Sequence, residues 1–65
     1  MTWLHIENKT ALITGGALGI GRAIADGLAA VGVRVVIADM NEEAGAAAVG
    51  ELEQAGYEAL FVRCN

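Results

Sequence analysis

Lys9-Thr10-Ala11-Leu12-Ile13-Thr14-Gly15-Gly16-Ala17-Leu18-Gly19-Ile20-Gly21 is the stretch that decides the fold. Its first half is a short apolar strand, and its second half is a turn with four glycines. Gly15 and Gly16 allow a sharp exit from the strand. Beyond the glycines, Ile20, Ala23, Ile24, Gly27, Leu28 and Val31 recur at i, i+3, i+4, i+7, i+8 and i+11, the spacing of one helical face. A helix over residues 20–31 is expected, with Gly32 as a left-handed C-terminal cap. Residues 33–38, Val-Arg-Val-Val-Ile-Ala, are nearly all apolar and rich in β-branched side chains, as in parallel strands covered on both faces. Asn41 is placed to cap a second helix, with Glu42 and Glu43 in a first turn where the helix dipole favours anions. That helix is expected to run to about Ala55, with Ala44, Ala47, Ala48, Leu52 and Ala55 on one stripe and Gly56 as its stop. A third strand is expected over residues 58–64, around Leu60-Phe61-Val62.

Strands alternating with crossover helices give β-α-β-α-β. Right-handed crossovers make this one half of an open parallel sheet. The expected fold class is α/β, a Rossmann-type βαβαβ unit forming the N-terminal half of a doubly wound parallel sheet. The chain has 65 residues, of which 55% are apolar and 18% charged, and a mean hydropathy of +0.50. This balance excludes a disordered chain, yet it is too apolar for a miniature domain without staples. There is one cysteine and no Cys/His cluster for zinc. Residues 1–65 are therefore expected to be the N-terminal part of a single domain, a fragment. One face of its sheet would be bare and the outer edge of the first strand unpaired, so the isolated chain is expected to be unfolded or aggregated. Trp3 reads as an apolar anchor for the arm before that strand.

Charge and hydropathy also bound the partners. The net charge is −4 and the pI about 4.6. Lys9, Arg22, Arg34 and Arg63 are scattered, which argues against a nucleic-acid partner. No apolar run approaches a membrane span, and the first residues lack the basic and apolar regions of a signal peptide. The expected location is the cytoplasm, with Cys64 reduced.

The glycine turn has a chemical reading. A helix N-terminus offers unpaired N–H groups and a partial positive charge. Gly19 removes a side chain where a diphosphate would approach, and Gly21 permits close helix–strand contact. The spacing is T-G-x-x-x-G-x-G, which is neither the common G-x-G-x-x-G nor a P-loop ending in G-K-[ST]. Asp39 ends the second strand 18 residues after Gly21, near the distance at which an acid bonds the ribose of a dinucleotide. Such a carboxylate suits the two ribose hydroxyls of NAD and repels the 2′-phosphate of NADP. A second reading of Asp39, as a cap of the following helix, competes with the better placed Asn41.

Thr14-Gly15-x-x-x-Gly19-x-Gly21, with Ile20 inside it and Lys9 and the strand Ala11–Thr14 before it, resembles the cofactor loop of the short-chain dehydrogenase/reductase family. The resemblance runs over residues 6–65. It implies nucleotide binding at Gly15, Ala17, Leu18, Gly19, Ile20, Gly21, Asp39, Met40, Cys64 and Asn65. Family members that prefer NADP often carry a base at the position of Leu18 or Met40, so NAD is expected here. Where the family usually has Asp on the adenine amino group, this chain has Asn65, which reads either as an adenine contact or as an ordinary strand end. Cys64 reads as packing.

The resemblance also implies an oxidoreductase acting on an alcohol or ketone through an Asn–Ser–Tyr–Lys set, assembled as a dimer or tetramer. None of that set maps onto residues 1–65. Tyr57 is followed four residues later by Phe61 rather than lysine, and the lone His5 reads as solvated. No catalytic residue and no metal ligand is expected, and the 65 residues alone are expected to be inactive. Two other readings stand beside the enzyme: a non-catalytic nucleotide sensor, and a methyltransferase using S-adenosylmethionine, whose loop usually reads G-x-G-x-G after an acid.

Overall fold

Three of the four strands of the sheet run parallel and alternate with two helices. The structure is a computed structural model that describes residues 3–7, 9–15 and 19–63. The elements are β1 (Trp3–Glu7), β2 (Thr10–Thr14), α1 (Gly19–Ala30), β3 (Arg34–Asp39), α2 (Glu42–Gln54) and β4 (Ala59–Arg63). The sheet order is β1-β2-β3-β4. β2 pairs parallel with β3 from Thr10↔Arg34 to Thr14↔Ala38, and β3 pairs parallel with β4 from Val35↔Ala59 to Asp39↔Arg63. This is the expected βαβαβ half-sheet.

Both helices end as their glycines require. At the end of α1, the Gly32 N–H donates to the Ala29 carbonyl (3.0 Å) and the Val33 N–H to the Leu28 carbonyl (3.0 Å). At the end of α2, the Gly56 N–H donates to Glu53 (3.0 Å) and the Tyr57 N–H to Leu52 (3.0 Å). The two caps are the same motif, with φ of 90° at Gly32 and 92° at Gly56, a conformation that side chains resist.

The core lies between the helices and one face of the sheet. Ile13, Val35 and Ile37 meet Ala25, Ala29, Ala48 and Leu52 there, with Ile24, Leu28, Ala44, Val49, Ala59 and Phe61 packed around them. The buried stripe of α1 is shifted by about one residue from that expected, whereas α2 keeps Ala48 and Leu52 of its expected stripe and adds Gly45. In α1 the buried positions are Gly21, Ala25 and Ala29, while Ile20 and Val31 are each 75% exposed. In α2 they are Gly45, Ala48 and Leu52, while Ala47 and Ala55 are exposed. The smallest residues take the line of closest approach to the sheet, and the larger ones flank it. Gly45 shows why: a Cβ there would run into the ring of Phe61 on β4. The opposite sheet face is bare, as expected, with Leu60 58% and Val62 45% exposed.

One expectation is overturned. The outer edge of β2 is not unpaired: Trp3–Glu7 is a strand, antiparallel to β2 from Trp3↔Thr14 to Glu7↔Thr10. Unmet backbone groups along a strand edge favour any segment that can pair with them. Lys9, just before β2, has φ 65°, the sign that tight hairpins need. This removes one of the two reasons for expecting the isolated chain to be unfolded or aggregated. The bare face remains.

Candidate nucleotide-binding site

The carboxyl ends of β2, β3 and β4 lie side by side, and the described residues among those singled out from the sequence gather there. Gly15 leaves β2 at φ 67°, and its N–H donates to the Ala38 carbonyl at 2.7 Å. The start of the glycine turn is thereby tied to the end of β3. At the other end of the turn, Gly19 opens α1 at φ 63°. A Cβ built on Gly19 would meet no atom of the described residues within 4 Å, so it would stand in open space among them. No acidic residue stands in the first turn of α1. Gly21 is buried against the sheet, and Ile20 is exposed. Ala17, Leu18, Cys64 and Asn65 lie outside the described residues.

Asp39 closes β3 and is half-buried. Its Oδ1 accepts the Asn41 N–H at 2.9 Å. Asn41 in turn caps α2: its Oδ1 accepts the Ala44 N–H at 3.0 Å, and its carbonyl accepts the Gly45 N–H at 2.9 Å. The helix cap is therefore Asn41, and Asp39 is held by a local turn that fixes its carboxylate at the strand end. Met40, between them, is 71% exposed. Arg63 is the register partner of Asp39, with its guanidinium 3.9 Å from Glu42.

Arg22 sits one turn into α1 and was not expected to have a role. Its Nε donates to Asp26 (2.9 Å), and its Nη1 lies 2.8 Å from Glu51 on α2. Glu51 thus joins α2 to α1. Hydrogen bonds to Asp26 and then to Glu51 hold the guanidinium charged beyond its ordinary range. This cation ties α1 to α2 across a cleft of about 420 Å³ that Ala23, Ala44, Ala47 and Ala48 also line. The i,i+4 spacing of Arg22 and Asp26 was the readable signal; the partner on α2 needed the fold.

Tyr57 stands at the other end of the sheet, beside Gly32, Val33 and Arg34, far along the strands from Gly15 and Asp39. Among the described residues, no group of three or more His, Cys, Asp or Glu could hold a metal ion, and no helix is long and apolar enough to cross a membrane.

The arrangement can receive an anion at the start of α1 and hydroxyls at Asp39. The Cβ-free space over Gly19 and the carboxylate at the next strand end fit the diphosphate and ribose of a dinucleotide. Comparison with known proteins points the same way. The family model described as "short chain dehydrogenase" matches residues 9–65. The 2,5-dichloro-2,5-cyclohexadiene-1,4-diol dehydrogenase LinX of Sphingobium indicum is 50% identical over 61 residues, covering 94% of this chain and 24% of that protein. A short chain dehydrogenase/reductase from Burkholderia phymatum, solved in complex with NAD, superposes with a TM-score of 0.85 at 42% identity over 91% of this chain and 21% of that one. The FolM alternative dihydrofolate reductase 1 of Brucella suis, solved with NADP, gives 0.76 at 34% identity over 83% and 22%. The chain spans about a quarter of the length of the curated relatives it matches.

Proposed function

The chain belongs to the short-chain dehydrogenase family, and from that premise we propose that it is the adenosine-binding quarter of an NAD-dependent oxidoreductase domain acting on a small alcohol or ketone. The observation that carries this reading is the pairing of Gly19, open and at φ 63°, with the Asp39 carboxylate anchored at the end of the neighbouring strand.

Each part has a separate task. The start of α1 would bind the diphosphate through backbone N–H groups and the helix dipole, the latter giving about 0.3–1 kcal/mol for each anionic group. Asp39 would accept the hydroxyls of the adenosine ribose. Ala17, Leu18 and Ile20 would shape the loop around the diphosphate. Met40 would lie beside the adenosine, and Cys64 and Asn65 would lie near adenine. The tie from Gly15 to Ala38 keeps the loop and Asp39 in fixed relation, which lowers the ordering cost of binding. When bound, the nicotinamide ring supplies the hydride acceptor or donor. The acid–base groups would come from the rest of the domain, as would the contacts that assemble it into an oligomer.

Asp39 also supports NAD over NADP. A carboxylate and a phosphate charge about 4 Å apart repel by about 4 kcal/mol at an effective dielectric of about 20. Solvent reduces this, but a tenfold preference needs only about 1.4 kcal/mol. Met40 brings no compensating charge, and Arg63 is directed toward Glu42. A graft of residues 1–65 onto the remaining three quarters of the LinX dehydrogenase provides a testable enzyme. Calorimetric titration should show NAD binding to the graft, lost on Gly19→Val; binding unchanged by that substitution would remove the loop from the site.

A further inference from the structure

Arg63 on β4 is the register partner of Asp39 across the parallel ladder. Partners in a ladder stand on the same face of the sheet, on strands about 4.8 Å apart. That face is the helical one. A Cβ on Gly45 of α2 would run into Phe61, two residues before Arg63, and Ile37, two residues before Asp39, lies in the core. An arginine side chain is long enough to span the strand separation, so an anion seated over the Asp39 carboxylate falls within its range. As it stands, Arg63 Nη1 lies 3.9 Å from Glu42, in the first turn of α2. At that distance the pair is ionic without a hydrogen bond, and its side chains are 65% and 70% exposed, which makes it weak. The other described cations are placed or engaged elsewhere. Lys9 precedes β2 and Arg34 opens β3, both at the opposite end of the parallel strands, and Arg22 is held by Asp26 and Glu51.

We propose that Arg63 is a second determinant of cofactor choice, opposed to Asp39: it is placed to meet the 2′-phosphate of NADP, and Glu42 competes with that phosphate for its guanidinium. Asp39 repels the phosphate, Arg63 offsets part of the repulsion through a charge-assisted contact, and Glu42 limits the offset. NAD carries a neutral hydroxyl at that position, so the Arg63–Glu42 pair acts on NADP and leaves NAD alone. The proposal rests on the reading of Asp39 as the carboxylate that binds the adenosine ribose. The second half of a doubly wound sheet covers the face opposite to these helices, so the pair lies outside the region that half would cover.

A double-mutant cycle in the LinX graft, read by calorimetric titration with NADP and with NAD, tests this. Arg63→Gln should weaken NADP about three- to fivefold, and Glu42→Gln should tighten it by a similar factor, the range of an exposed ion pair. The double variant should behave as Arg63→Gln alone. Glu43→Gln removes the same charge from the same helical turn and should leave NADP within about twofold, which separates competition for Arg63 from a general loss of negative charge. NAD should stay within about twofold throughout. An NADP affinity indifferent to Arg63→Gln would overturn the proposal. So would a gain from Glu42→Gln that survives Arg63→Gln or that Glu43→Gln reproduces. A loss on Arg63→Gln shared equally by NAD would mark a merely structural residue and overturn it too. A cooperatively melting graft that binds neither dinucleotide would instead defeat the cofactor reading, and the proposal with it. The remaining chain of the Burkholderia phymatum enzyme is the second carrier for the same variants should the LinX graft not melt cooperatively.

Discussion

The two strand-to-helix junctions of this sheet solve the same geometric problem with opposite chemistry. At β3-α2, the protein satisfies its own backbone: Asp39 takes the Asn41 N–H, Asn41 takes the Ala44 N–H, and Glu42 and Glu43 answer the helix dipole. At β2-α1, the turn is glycine, the first helical turn holds no acid, and a Cβ at Gly19 would stand in open space among the described residues. A junction that is complete in itself has little to offer an anion. One that opens on a glycine at φ 63° and holds no acid in its first helical turn carries no such charge complement of its own. On the proposed reading, the first junction would provide the positive end and the second a fixed carboxylate.

Substitutions should separate the two junctions. The largest effect is expected at Gly19. In the LinX graft, Gly19→Val forces a β-branched side chain into a left-handed conformation and fills the open space. Loss of about 3 kcal/mol of binding, a hundredfold or more in the NAD dissociation constant, is expected. Next is Gly45→Ala, whose added methyl must displace Phe61. Overpacking of this kind costs about 1–3 kcal/mol, so the melting temperature of the graft should fall while NAD affinity in the folded fraction holds. Asn41→Ala should lower stability by about 1 kcal/mol, the usual effect of losing a helix cap, and change NAD binding less than Gly19→Val does. An Asn41→Ala effect on affinity as large as that of Gly19→Val would erase the distinction between the junctions. The smallest effect is expected for Glu51→Gln, which weakens a surface ion pair with Arg22. It should cost no more than about 1 kcal/mol and be measurable only at low salt.

Much of this was legible in the sequence because the signals were local. Gly32 and Gly56 stop their helices where expected, and Asn41 caps where expected, since each depends on a few neighbouring backbone groups. The T-G-x-x-x-G-x-G spacing located the loop for the same reason. What was not legible depended on partners distant in the chain. The α1 stripe was placed about one residue off because the large apolar side chains mark a helical face, whereas closest approach to the sheet selects Gly21, Ala25 and Ala29, and in α2 it adds Gly45 to the expected Ala48 and Leu52. Arg22 looked idle until Glu51 was brought beside it. β1 was read as an anchoring arm, although Leu4 and Ile6 alternate with His5 and Glu7 before a link containing Asn8. That alternation is the period of a strand, and the open edge of β2 gave it a partner.

The central claim is that the Asp39 carboxylate, fixed by the local turn at the end of β3, selects the cofactor. Its most direct test is the ratio of NADP to NAD dissociation constants in the LinX graft, before and after Asp39→Ser. The account predicts a ratio of at least about 10 in the parent, since even about 1.4 kcal/mol of surviving repulsion gives that much, and a fall of at least about tenfold in the variant. A parent that binds NADP as tightly as NAD, or a ratio that Asp39→Ser leaves unchanged, would contradict it.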